Sequence, residues 1–84
     1  MPVTRPEWFS DFDAWWWPAV GEDVARHVDP VGIDDHTRLH VRCSSSAWRT
    51  QVHLLGTSLT VRVNEQLAPT TVITGIVVQA ARSQ

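Results

Sequence analysis

The 84-residue chain has no lysine and one cysteine, and each scarcity narrows what it can be. With Cys43 alone, neither an internal disulfide framework nor a thiolate zinc knuckle is available. No apolar run approaches the roughly 18 residues that a membrane helix needs. The opening Met1-Pro2-Val3-Thr4-Arg5-Pro6 lacks a basic head followed by an apolar stretch. A cytosolic chain without a secretory leader or membrane anchor is therefore expected. No phosphate loop is present, so the chain itself is not expected to hydrolyse ATP. The net charge of −2 argues against strong nucleic-acid binding by overall charge. All seven cations are arginine, the cation that forks onto phosphates and carboxylates.

What is present is globular. The hydrophobic fraction is 43% and the charged fraction 19%, enough apolar surface for a core and too little charge for disorder. A single domain over residues 1–84, with no separate tail, is expected. A chain this short buries only about 60% of its unfolded surface, so large side chains matter. Five tryptophans supply them. Charge is polarised along the chain. Residues 1–35 carry eight carboxylates against Arg5 and Arg26, a net of −6, whereas residues 36–84 carry five arginines against Glu65, a net of +4.

Thr4-Arg5-Pro6-Glu7 has the form of a capping box and predicts a helix start. Trp8, Phe12, Trp15, Trp16 and Ala19 then recur at helical spacing. Pro18 predicts a kink or break at Trp17. Gly21, followed by Glu22-Asp23, predicts a short second helix with Val20, Val24 and Val28 on its inner face. A strand is expected at about 28–33, a turn over Asp34-Asp35-His36-Thr37, and a second strand in which Leu39, Val41 and Cys43 alternate with Arg38, His40 and Arg42. The two strands make a β-hairpin with one apolar and one basic face. The Ser44-Ser45-Ser46 run predicts the cap of a long helix starting near Ser46, carrying Trp48, Val52, Leu55, Leu59, Val63 and Leu67 on one stripe and ended by Pro69. The β-branched run from Thr71 to Ala80 predicts a last strand with Val72, Ile76 and Val78 on one face. The fold class is α+β: one three-stranded sheet with the helices on one face.

Three adjacent indoles, Trp15-Trp16-Trp17, cannot all face one core, because successive helical residues point about 100° apart. Trp17 is the residue expected to face outward. Trp48 is expected to pack against the sheet. The basic strand face, Arg38, His40 and Arg42, together with Arg49 and Arg62 on the long helix, could follow the phosphates of single-stranded DNA. No aromatic residue on that strand supports base stacking. His27, His36, His40 and His53 lack metal-site spacing, so no metal is expected. Cys43, on the apolar strand face, reads as a buried hydrophobe rather than a nucleophile. No catalytic residue, cofactor or small-molecule substrate is indicated, and an enzyme is not expected.

Trp16-x-x-x-Val20-Gly21, with Val24-Ala25, His27 and Pro30, is one half of a recognisable pattern. The other half is Leu39-x-Val41, Ser46-Ala47-Trp48-x-Thr50-Gln51-Val52, Leu55 and Asn64-x-x-Leu67. Together they resemble the DciA family of bacterial replication proteins, especially its actinobacterial branch, from about Trp15 to Val78. The resemblance implies a KH-like domain, although no Gly-x-x-Gly loop supplies the usual KH clamp. It implies recruitment or loading of a DnaB-type replicative helicase on DNA at the replication fork, with the helicase doing the ATP chemistry. It further implies weak binding of single-stranded DNA and a role for Trp16, at the family's Trp…Val-Gly position; with the excess of indoles over what one core face can hold, a partner surface on Trp15, Trp16 and Trp17 is expected. The alternatives are a small single-stranded DNA-binding module and a divergent or phage-borne protein that sequesters the helicase.

Overall fold

A computed structural model describes residues 3–79. The elements are α1 (Phe12–Val20), α2 (Glu22–His27), β1 (Val28–Ile33), β2 (Arg38–Cys43), α3 (Ser46–Leu67) and β3 (Gly75–Val78). The sheet order is β1-β2-β3. β1 runs antiparallel to β2 and β3 runs parallel to it. The fold is α+β, in the order the sequence predicts.

Register decides which side chains share a face, because cross-strand partners point the same way. Val28, Pro30 and Ile33 pair with Cys43, Val41 and Leu39, and Leu39 and Val41 pair with Ile76 and Val78 across β3. This is the inner face. Val28, Ile33, Leu39 and Val41 are buried there in one cluster with Trp16 and Ala19 of α1 and Val52, Leu59 and Val63 of α3. The α3 stripe follows the helical period, except that Leu55 lies at its margin and is 40% exposed. Trp48, expected in the core, is half-buried at its edge. Its indole stacks on His27, with ring centroids 4.7 Å apart. Cys43 is on the inner face as expected but at the end of the strand, so it is only half-buried. Burial pushes its thiol pKa up and the Arg49 guanidinium pulls it down, with burial the larger effect.

The first helix departs from its prediction at the start. The capping box at Thr4 does not form. Thr4 instead bridges to Ile33 at the free edge of β1, donating its N–H to the Ile33 carbonyl at 2.8 Å and accepting from the Ile33 N–H at 2.9 Å. The local preference of Thr-x-x-Glu loses to a distant strand edge that needs partners. Two tight turns follow, with Phe9 N–H donating to Pro6 and Asp11 N–H to Trp8, and α1 begins only after Asp11. Phe9, absent from the predicted stripe, is buried by these turns. Pro18 does not end α1, which runs through it to Val20 and stops at Gly21, whose φ of 88° is open to glycine. Buried Trp15, Trp16 and Ala19 hold the last turns in place despite the missing proline N–H.

The last strand is shorter than predicted. β3 begins at Gly75, Val72 is 63% exposed and Ile73 is buried instead. Asn64 of α3 explains the shift: its side-chain amide donates to the Ile73 carbonyl at 3.0 Å, and its oxygen accepts from the Ile73 N–H at 2.7 Å. That two-point clamp fixes the segment ahead of β3 without a ladder. The predicted end at Ala80 lies outside the described residues.

Between Pro30 and Gly32 the β1–β2 register shifts by a bulge. Arg5 Nε donates to the Val31 carbonyl at 2.8 Å, and Val3 fills the space over Gly32. A Cβ at Gly32 would stand 2.6 Å from Val3 Cγ2 and 3.0 Å from the Thr4 carbonyl. Gly32→Ala is therefore expected to push the 3–5 segment off the sheet edge, destabilising the protein by about 1–3 kcal/mol. Thermal melts of the two proteins check it, and an unchanged Tm would mean that this segment does not hold the edge.

Candidate partner-binding surface

The three adjacent indoles divide as helical geometry requires. Trp15 and Trp16 are 3% and 1% exposed, whereas Trp17 is 37% exposed. Each buried indole has its N–H paired: Trp15 Nε1 donates to the Phe9 carbonyl at 2.9 Å, and Trp16 Nε1 to the Val28 carbonyl at 3.0 Å. A buried indole needs such a partner, and here the partners are backbone groups of the preceding turn and of the first residue of β1. Trp15 and Trp16 are therefore structural, and of the three Trp17 is the one that reaches solvent.

Trp8, which the sequence assigns to the core stripe, is also half-buried and packs edge-on against Trp15 at 5.4 Å. With Gln66 in the last turn of α3 and Thr70 just beyond it, Trp8 borders an open cleft of about 220 Å³. Sequence periodicity places Trp8 on the right side of the chain. It does not show that the turns before α1 bring its ring to a cleft edge.

The basic set does not form one surface. On the outer sheet face Arg38, His40 and Arg42 stand opposite Gly75, Val77 and Asp29 respectively. His40, expected on a solvated face, is buried against the carboxylate of Asp34, which is itself buried. His40 Nε2 donates to Asp34 Oδ2 at 2.8 Å, and Arg38 Nε donates to the same oxygen at 2.8 Å. Asp34 Oδ1 accepts from the backbone N–H groups of His36 and Arg38, each at 2.9 Å. Burial alone would raise the Asp34 pKa. The hydrogen bonds from His40, the two N–H groups and the guanidinium outweigh it and hold the carboxyl well below the usual carboxylate range. The predicted turn is thus also an anion site filled by the chain itself. The signal in the sequence is an acid at the first loop position, four residues before Arg38 and six before His40.

Arg42 remains exposed, and Arg62 is exposed on α3. Arg49 is half-buried, its Nε enclosed without a hydrogen-bond acceptor among the described residues. Arg49 and Arg62 are separated by roughly 20 Å along α3 and by some 140° around it, so they do not share a face. No helix among the described residues is long and apolar enough to cross a membrane.

The α+β domain thus presents one exposed indole on α1, a separate cleft bordered by Trp8, and two of its three β2 basic side chains, Arg38 and His40, engaged by Asp34. The model of the family described as "Dna[CI] antecedent, DciA" matches residues 2–78, and the chain belongs to that family. A UPF0232 protein of Streptomyces avermitilis is 48% identical over 58 residues, covering 67% of this chain and 32% of that protein. One of Streptomyces coelicolor is 49% identical over 53 residues, covering 61% and 28%. One of Rhodococcus jostii is 35% identical over 48 residues, covering 57% and 25%. The chain thus spans about a third or less of the length of these curated relatives. No solved structure matches it.

Proposed function

We propose that this domain is a DNA-replication accessory module that binds a DnaB-type replicative helicase and assists its recruitment or loading, contributing contacts rather than chemistry. Membership of the DciA family over residues 2–78 carries the reading. Exposure of Trp17 beside buried, hydrogen-bonded Trp15 and Trp16 supports the Trp-rich helix as the contact. An exposed indole in the middle of a helix is a liability unless a partner covers it, and indoles are enriched among the residues that dominate binding.

Trp17→Ala is expected to leave the Tm within about 3 °C of the parent. It is expected to weaken binding to purified actinobacterial DnaB-type helicase roughly 30-fold, or about 2 kcal/mol. Titration of the folded variant against the helicase decides the matter. Equal affinity of parent and variant would remove this surface, and no binding by the parent would remove the reading.

Single-stranded DNA is a weaker partner in this proposal. Asp34 already occupies Arg38 Nε and His40, which leaves Arg42 as the exposed cation of the sheet face.

A further inference from the structure

The cleft between the first turns of the chain and the end of α3 has chemistry that the helicase proposal leaves unused. Trp15 and Leu67, both buried, floor it, and Trp8 walls it. Its exposed margin carries Asp11, Gln66 and Thr70. Asp11 occupies the N-cap position of α1, where a carboxylate ordinarily accepts from the helix's first N–H groups. Here it makes no side-chain cap bond. Among the described residues, neither its carboxylate nor the side chains of Gln66 and Thr70 nor the Trp8 indole N–H has a hydrogen-bond or ion-pair partner. The cleft thus gathers an indole, a carboxylate, an amide and a hydroxyl whose polar atoms the chain itself leaves unpaired.

Size and charge narrow the occupant. About 220 Å³ is below the roughly 300–1,000 Å³ of small-molecule pockets and suits one long side chain. The surroundings are acidic: Glu7, Asp11 and Asp13 are exposed and form no ion pair among the described residues. Arg26 is engaged by Glu22, and Arg5 by the Val31 carbonyl. Arg62 stands one turn before Gln66 on α3 and does not line the cleft. An indole, a carboxylate and two neutral acceptors among the lining residues match a planar cation that stacks and forks. Lysine, a compact and strongly hydrated charge, uses only the carboxylate.

The geometry points to this cleft as a receptor for a single arginine side chain presented by a basic segment of a protein partner. The guanidinium lies on the Trp8 ring and forks onto the Asp11 carboxylate, with Gln66 Oε1 and the Thr70 hydroxyl accepting its remaining N–H groups. For the identity of the natural partner this rests on the protein-docking proposal. For the cleft itself it does not.

The test uses the whole chain and no helicase, so its failure is distinct from failure of helicase binding. The probe is the tripeptide acetyl-Gly-Arg-Gly-amide, followed by NMR at the Trp8 indole N–H and the Gln66 side-chain amide. Saturable shifts at those two groups are expected, and the isosteric citrulline peptide is expected to produce none. Asp11→Asn leaves the helix cap as it is and should weaken the arginine peptide at least fivefold. Asp13→Asn, which removes the same charge outside the cleft, should leave the affinity within twofold. Gln66→Glu should tighten it. Equal shifts with citrulline, a preference for the lysine or norleucine peptide, or equal losses from Asp11→Asn and Asp13→Asn would each overturn the assignment.

Discussion

Trp16→Ala is expected to unfold the protein at temperatures where the parent is stable, lowering the Tm by roughly 15 °C or more. The side chain is 1% exposed and joins α1 to the inner face of the sheet. Its truncation removes a large indole and leaves a cavity, a loss of about 3–5 kcal/mol. It also takes the donor from the Val28 carbonyl, where Trp16 Nε1 now lies at 3.0 Å, and an orphaned buried carbonyl adds to the loss. For a domain this small that approaches the whole folding free energy. Trp16→Phe separates the two contributions, since it keeps most of the packing and loses the hydrogen bond. Thermal melts by circular dichroism decide it: a Trp16→Ala shift of only a few degrees would mean that α1 is not anchored through this ring. The contrast with Trp17→Ala, expected to be nearly silent in the same melt, separates the supporting indole from the presented one.

The second large effect centres on Asp34. Its carboxylate accepts four hydrogen bonds, two from backbone N–H groups and two from side chains. It supports a loop in which Thr37, a β-branched residue, sits at φ 57°. Asp34→Ala leaves those donors without an acceptor and is expected to lower the Tm by roughly 10 °C or more. Asp34→Asn is not conservative here, because an NH₂ group at the Oδ2 position would face the donors of His40 and Arg38. The pH dependence follows from the direction of the shift. The folded carboxyl titrates below its ordinary value of 3.8. Its contribution is therefore fully present above about pH 4 and is lost progressively as the pH falls from there through the lower folded value. Urea titrations at pH 7, 4 and 2.5 should show parent stability holding to pH 4 and then dropping. Asp34→Ala should be weaker at pH 7 and lose less on acidification. Parallel pH profiles for the two proteins would show that another carboxyl carries the acid limb.

How much of this could be read from residues alone depends on whether the controlling partner is near in sequence. β2 and α3 were legible because Leu39-x-Val41 and the run from Val52 to Leu67 carry their periods locally. The outward turn of Trp17 was legible for the same reason, as a matter of 100° steps. The start of α1 was not, because Thr4 is claimed by Ile33, twenty-nine positions away, and nothing near Thr4 announces that edge. His40 misled differently. Strict alternation places it on the outer face, which is correct, but alternation says nothing of a buried partner there, and Asp34 is one. Of the three adjacent indoles, the 100° steps separate the outward Trp17 from the buried pair, but nothing in the local pattern shows that Trp8 would line a cleft with residues at and just beyond the far end of α3.

The mixed sheet also imposes an order of assembly. Closing the β1–β2 hairpin requires ordering only a four-residue loop between Ile33 and Arg38. Pairing Arg38 with Gly75 joins residues thirty-seven positions apart, and the intervening α3 must already be in place for β3 to reach its parallel position. β3 is four residues long, half-buried throughout and held along one edge by β2. It is therefore expected to be the last part of the core to become fixed and the first to be released by fluctuation. Amide exchange at equilibrium should find β3 opening well below the global free energy while the amides of β2 on its hairpin side stay protected. The Asn64 clamp on Ile73 then marks the boundary between a persistent nucleus and a detachable margin.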